Sequence, residues 1–223
     1  MIALSPLLAA CPSVASADTP RELLTTAAFQ TTDKGRALAL IGQAIAGSER
    51  ILTTRPRDRE ATLQRAIAIG YRGKLTRSRS DVRASLEQFE RLAAEDARDP
   101  EAQMVIAGWH LGAIDQLGSL LARTALGAKA KVGETALNRA VTLGGHRAFY
   151  PGMAALLQIR NDHADVARAR RWAEAAAAAQ TPSVLDMQMK RAALAILPAL
   201  QANDGKKAAM LARKLLPFGR LPD

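Results

Sequence analysis

Apolar side chains recur along this chain at the three- and four-residue spacing of amphipathic helices, in segments separated by proline-containing turns. The clearest turns are Arg55-Pro56-Arg57-Asp58, Asp99-Pro100-Glu101 and Thr181-Pro182. Proline is poorly tolerated inside a helix but suits its first position, so each turn ends one helix and begins another. Because the alternating pattern of β-strands is almost absent, the sequence predicts an all-α protein.

Capping residues and glycines define the boundaries of the predicted helices more precisely. Thr19-Pro20-Arg21-Glu22 is a capping box that opens the first helix, and a break is expected near Gly118 because glycine weakens a helix interior. The basic stretch from Arg72 to Arg79 is interpreted as the clearest loop, and Pro198 as a kink or a helix end. The other predicted helix starts are Asp33, Asp58, Ser80 or Asp81, Pro100, Val132, Phe149 or Tyr150, Asp162, Pro182, and Asn203 or Asp204.

The predicted breaks recur at a regular interval. Those at Pro56, Pro100, Gly145 and Pro182 are separated by 44, 45 and 37 residues. Each interval holds two helices, or three in the unit that follows Pro100. Repeats of this length are typical of helical solenoids, in which a unit buries its apolar face only against its neighbours. We therefore expect a single helical-repeat domain over residues 18–223, with a compact bundle as the alternative.

Packing residues inside these units follow a recurrent order of small and large apolar side chains. They are Met104, Ala107, Gly108 and Leu111 after Pro100, Phe89 and Leu92 before it, and Ala136 and Ala140 further along. Over residues 34–180 the chain resembles degenerate tetratricopeptide repeats, although its intervals exceed that family's period of about 34 residues. The resemblance implies a right-handed α–α superhelix that binds other proteins. The chain looks most like exported tetratricopeptide proteins, one group of which are accessory subunits of solute transporters.

Composition and charge narrow the choice of partner. Hydrophobic residues make up 48% of the chain and aromatic residues only 4%, so the core must consist mainly of aliphatic side chains. The formal net charge of +10 attracts polyanions such as anionic lipids, glycans or nucleic acid. Most arginines, however, fall among acidic residues on the polar faces of predicted helices. A protein partner is therefore the main hypothesis and a polyanion the alternative, with nucleic acid the least favoured because base-stacking aromatics are scarce.

The N-terminus carries features of an export signal. Residues 2–10 are apolar but too few to span a bilayer, and a small-residue site follows, with cleavage expected between Ala17 and Asp18. This reading makes residues 1–17 a signal peptide and the mature protein periplasmic. In the alternative, Cys11 is the lipidated cysteine of a membrane-anchored lipoprotein whose signal is residues 1–10. Both interpretations lack the usual basic residues, since no Lys or Arg precedes the apolar stretch. A cytoplasmic protein with an apolar N-terminus is therefore kept as the third and least favoured interpretation.

No motif in the sequence indicates catalysis. The three histidines, His110, His146 and His163, lie on separate predicted elements without metal-ligand spacing. Nucleophile elbows and phosphate-binding glycine loops are also absent from the sequence. We therefore expect a protein that is not an enzyme and needs no cofactor or metal.

The candidate partner-binding residues are of two kinds. Trp109 and His110 are expected to face a groove formed by the first helices of successive units, although a tryptophan at helical spacing is more often part of the core. Arg72, Arg77 and Arg79 belong to the basic stretch and could contact an anionic group, or simply keep the surface soluble.

Overall fold

The computed structural model describes residues 18–222, which form eleven α-helices. The helices are α1 (Pro20–Phe29), α2 (Lys34–Thr54), α3 (Arg59–Thr76), α4 (Arg79–Glu95), α5 (Pro100–Leu117), α6 (Ser119–Leu126), α7 (Ala130–Leu143), α8 (Phe149–Asn161), α9 (Val166–Ala178), α10 (Val184–Gln201) and α11 (Gly205–Leu215). Across these residues β-structure is limited to one isolated bridge between Arg147 and Gln180. The predicted all-α class is confirmed.

The helices pack as pairs that follow one another along the chain. The pairs are α1/α2, α3/α4, α5/α7, α8/α9 and α10/α11, and each pair also contacts the next one along the chain. The short helix α6 is inserted between α5 and α7, as the three-helix option for the unit after Pro100 predicts. This arrangement is an all-α array of helix pairs, while the right-handed superhelical path stays a prediction.

Local capping explains most helix boundaries. Thr19 makes the predicted capping box with Glu22, and Asp99 caps α5 with Pro100 in its first turn. Gly118 and Gly127, at φ of 75° and 77°, bound α6, which confirms the break predicted near Gly118.

Four boundary predictions were wrong in detail. The cap of α4 is Ser78 rather than Ser80 or Asp81, and the cap of α9 is Asp165 rather than Asp162. The helix α10 begins after the cap Ser183 and continues through Pro198 to Gln201. The missing N–H of Pro198 removes one intrahelical hydrogen bond, to the carbonyl of Leu194, and the helix continues for only three more residues. Finally, α7 begins two residues before the predicted Val132.

The interpretation of Arg72 to Arg79 as a loop was also wrong. Helix α3 continues to Thr76 and α4 begins at Arg79, so the connection is only Arg77 and Ser78. Gly73, which suggested a loop, is a packing residue: a Cβ atom there would lie 2.9 Å from the backbone nitrogen of Val82 on α4. The glycine allows the two helices to approach closely, and the left-handed Arg77 (φ 59°) turns the chain between them.

Small side chains form much of the core. Alanines are buried at the contacts between helices throughout the array, and the largest fully buried side chains include Ile41, Leu63, Leu92, Leu137, Leu156, Ile159, Ile196 and Leu200. One continuous cluster of buried apolar residues extends from α1 to the residues after α11. The short alanine side chains permit close helix packing, which matches the low aromatic content.

The chain returns to its own first helices at the C-terminus. Helix α11 packs against α8, and the segment after it, residues 216–222, reaches α1 and α3. The backbone N–H of Phe218 donates to the carbonyl of Ala28 (2.7 Å), and its ring meets Tyr71 edge-to-face at 4.8 Å. We call the side of α1, α3, α5 and α8 that faces α11 and this C-terminal segment the inner face.

Within the part of the chain that the structure describes, no helix combines the length and the apolar character needed to cross a membrane.

Candidate interaction site

Trp109 and His110 connect α5 to its neighbours instead of lying free in a groove. The Trp109 indole nitrogen donates to the carbonyl of Val82 on α4 (2.8 Å), and its ring is half-buried. His110 is 3% exposed, and its Nδ1 accepts the backbone N–H of Lys129 at 3.3 Å. Burial lowers the pKa of His110, and the charge of Lys129 lowers it further. A neutral histidine held this way stabilises the α5–α7 connection.

The three candidate arginines differ in their surroundings. Arg72 makes two hydrogen bonds to the carboxylate of Asp81, at 2.7 and 3.0 Å, and this pairing raises its pKa. Its charge is therefore largely compensated. Arg77 and Arg79 are exposed at the turn between α3 and α4. Of the three, only Arg77 and Arg79 are exposed. The basic stretch therefore offers a smaller binding site for an anionic group than the sequence suggested.

Ala17 and Cys11, the residues of the two alternative processing sites, lie outside the described residues. Asp18 is the first residue described, and it is exposed.

A surface that the sequence analysis did not identify surrounds α6. The residues from Leu117 to Val132, which we call the α6 elbow, expose four large apolar side chains. The exposed fractions are 41% for Leu117, 77% for Leu120, 54% for Leu121 and 40% for Val132. Ala122 is the one buried residue of α6. Apolar side chains that cluster on a surface in this way mark an interaction site more often than single exposed leucines do.

Specific contacts hold the α6 elbow in place. A guanidinium nitrogen of Arg83 on α4 donates to the carbonyl of Ala125 (2.9 Å), and the backbone N–H of Ala128 donates to the carbonyl of Ala122 (3.1 Å). The sequence analysis did not identify this surface, because helical periodicity makes Leu120 and Leu121 look like part of the apolar stretch that begins at Pro100. The turn at Gly118 redirects them outward.

The elbow is also positively charged. Between Gln116 and Gly133 there is no acidic residue, while Arg123, Lys129 and Lys131 are all exposed. An apolar surface with basic residues around it fits a partner that is apolar and acidic.

Charged side chains at the starts of α1, α3 and α5 hold these three helices together. The guanidinium of Arg21 binds Glu60 (2.6 Å) and Glu101 (2.5 Å), which joins three first helices. Nearby, Arg59 pairs with Asp99. These contacts link residues 39 and 80 positions apart, so they are invisible to an analysis of local sequence. Their role is structural, because every one of these side chains is engaged in an ion pair within the array.

Across residues 18–222, no group of three or more His, Cys, Asp or Glu side chains has the arrangement of a metal site.

Comparison with models of protein families, with curated proteins and with solved structures found no match for this chain. The fold defines the class, an all-α array of helix pairs. The resemblance to tetratricopeptide repeats stays a prediction.

Proposed function

We propose that this protein is a non-catalytic interaction scaffold, or an accessory subunit, that binds a protein partner in the bacterial cell envelope. The observation that carries the proposal is the α6 elbow, where Leu117, Leu120, Leu121 and Val132 are exposed within one short segment. Burying these side chains against a partner removes apolar surface from water, which is the main favourable contribution to protein association.

The elbow is better placed for docking than the inner face at α1 and α3. There, the C-terminal segment already covers the helices through Phe218 and Lys74, whose ammonium nitrogen lies 3.3 Å from the carbonyl oxygen of Pro217. The basic side chains around α6 steer an acidic partner toward the leucines and contribute to the rate of association.

A crosslinking experiment tests this surface. A photoreactive residue at position 120 is expected to capture a discrete protein partner in cells, and one at position 194 is not. Leu194, which is 48% exposed on α10, is the matched control. A substitution of Leu120 and Leu121 by Asp is expected to reduce capture from position 117 at least about tenfold, whereas Leu194→Asp leaves it unchanged. Equal capture by all variants would contradict the proposal.

An anionic lipid surface is the second candidate for the same elbow. It is favoured by the acid-free stretch 116–133, because leucines beside lysines and an arginine suit the interface of an anionic bilayer. In this case the protein binds vesicles of phosphatidylglycerol with phosphatidylcholine but not phosphatidylcholine alone, and binding falls with added salt. Vesicle binding that Leu120→Asp abolishes, without any crosslinked partner, would select this candidate.

The proposed periplasmic location is inferred from the apolar N-terminus. Intact-mass measurement of the protein isolated from its native cells is expected to give a chain that begins at Asp18. A diacylated chain that begins at Cys11 would support the lipoprotein alternative. An unprocessed chain recovered from the cytoplasm would contradict export.

A further inference from the structure

Four charged side chains from four helices meet at one end of the inner face. They are Lys74 on α3, Asp115 on α5, Arg160 on α8 and Arg213 on α11, and we call them the inner charge cluster. Asp115 Oδ1 lies 3.5 Å from Arg160 Nε and 3.8 Å from a terminal nitrogen of Arg213. Lys74 lies close enough to Arg160 and Asp115 for both charges to influence its pKa. Two guanidinium groups thus share one carboxylate, with the Lys74 ammonium as a further positive charge nearby.

Arg160 lacks the acceptors that a buried guanidinium requires. Its side chain is only 8% exposed, yet its Nε and Nη2 atoms have no hydrogen-bond partner among the described residues. Asp115 forms an ion pair with it, but the geometry does not give a hydrogen bond. A buried charged donor without an acceptor is costly, and guanidinium N–H groups bind oxyanions well because of their planar fork.

The neighbouring turn of α5 leaves room beside the guanidinium. Gly108 and Gly112 lie one turn apart. A Cβ atom at Gly112 would have only Arg160 Nη2 near it, at 4.0 Å, and one at Gly108 would have nothing within 4 Å. Glycine at position 112 keeps a side chain away from the donors of Arg160.

The electrostatics of the cluster favour an anion. Burial and, to a smaller extent, the positive charge of Arg160 lower the pKa of Lys74 to about 8, although Asp115 opposes the change. Burial also lowers the pKa of Arg160, and Arg213 adds to this effect. The folded protein therefore tolerates these positive charges poorly as they stand, and an added negative charge relieves the repulsion.

We propose that the inner charge cluster binds a small oxyanion, such as a free phosphate or sulfate ion or the carboxylate of a small acid. Arg160 is the direct ligand, and Lys74, whose ammonium also donates to the carbonyl of Pro217 at 3.3 Å, adds positive charge. Arg213, which is 67% exposed, attracts the ion at the surface, whereas Asp115 competes with the ion for Arg160. This site lies on the inner face and is separate from the α6 elbow, so it does not depend on the proposed docking function.

Titration with sodium sulfate and with sodium acetate tests the site, with sodium chloride at equal ionic strength as the reference. The resonance of the Arg160 Nε–H is expected to shift saturably with one or both anions, and the midpoint of thermal unfolding to rise relative to chloride. The substitution Arg160→Met is expected to weaken anion binding at least about tenfold, because hydrogen bonds from charged donors are the strong ones. Arg171→Met, at an exposed position of α9, is the matched control and leaves it unchanged.

Two further variants keep the test decisive if Arg160→Met does not fold. Asp115→Asn removes the competing carboxylate and is expected to tighten sulfate binding, whereas Lys74→Met weakens it. Sulfate binding is also expected to weaken as pH rises through about 8, where Lys74 loses its proton, and Lys74→Met removes this dependence. The proposal is overturned if neither anion shifts the Arg160 resonance relative to chloride, or if sulfate stabilises every variant equally.

Discussion

Replacing Asp186 with alanine is expected to lower the free energy of unfolding by about 2–3 kcal/mol, because it removes the shared acceptor of several hydrogen bonds at a buried position. The Asp186 side chain is fully buried at the start of α10. Its carboxylate accepts hydrogen bonds from Arg147 (2.9 Å), from the backbone N–H of Phe149 (3.0 Å) and from the hydroxyl of Ser183 (2.6 Å). Alanine leaves all three donors without this acceptor.

The position of these donors explains why the effect is expected to be large. Phe149 begins α8 and Ser183 caps α10, so the Asp186 carboxylate ties together the starts of two consecutive first helices. The N-terminal N–H groups of a helix lack intrahelical partners, and α8 has no side-chain cap of its own. Asp186 supplies that cap from the neighbouring unit.

Urea-induced unfolding, followed by circular dichroism, measures the loss. Glu174→Ala, which removes an exposed carboxylate from α9, is the control and is expected to change stability by less than about 0.5 kcal/mol. Asp186→Asn keeps the shape and one acceptor, so its effect should be intermediate. A loss below about 1 kcal/mol for Asp186→Ala would contradict the capping role assigned here.

The stabilisation by Asp186 is expected to depend on pH. Burial raises the pKa of this carboxyl, but the bonds from Arg147, Ser183 and Phe149 outweigh burial, and the pKa lies below its ordinary value. Because the folded-state pKa is depressed, the contribution is fully present above the unfolded value of about 3.9 and is lost as pH falls through the folded one. The difference between the wild type and Asp186→Ala should therefore narrow below about pH 4.

The elements that local sequence determines were predicted well. Capping boxes, Asp-Pro starts and glycine stops each act within one helical turn, so Thr19, Asp99 and Gly118 could be assigned from neighbouring residues alone. Two helices were expected in each unit, with three as the option after Pro100, and the structure has three in that unit.

The sequence did not predict which residues of different units contact one another, or which apolar side chains are exposed. Gly73 has the same composition signal as a loop glycine, and only the approach of α4 shows that it is a packing residue. Leu120 has the same periodicity as a core leucine until the turn at Gly118 is known. Arg160 and Lys74 are 86 positions apart, so their proximity depends on the stacking of whole helix pairs.

Gly205→Ala is expected to destabilise the protein by about 2–3 kcal/mol, because it inserts a methyl group where the backbone of the α8–α9 turn already lies. Gly205 is buried at the start of α11. A Cβ atom there would overlap the carbonyl oxygen of His163, at the turn between α8 and α9, and would lie 2.9 Å from Val166 Cγ2. Neither obstacle is the end of a flexible side chain, so α11 must move as a unit.

Movement of α11 also transmits the effect to the inner face. The C-terminal segment follows directly after this helix and contacts α1 through Phe218, so a displaced α11 pulls on that contact. We therefore expect Gly205→Ala to increase amide hydrogen exchange in α11 and at Phe218, whereas exchange in α4 changes little. An effect confined to α11 would show that the C-terminal segment binds the inner face independently of the helix.

Gly42→Ala is the matched control, and the opposite sign is expected for it. Gly42 lies in the middle of α2, and a Cβ atom there meets nothing within 4 Å. Alanine at such a position reduces the conformational entropy lost on folding, which stabilises a helix interior by about 0.5–1 kcal/mol. Urea unfolding of both variants gives the comparison directly. If Gly205→Ala were as stable as Gly42→Ala, α11 could not be packed against the α8–α9 turn as described, since no rotamer change at His163 or Val166 moves a backbone carbonyl.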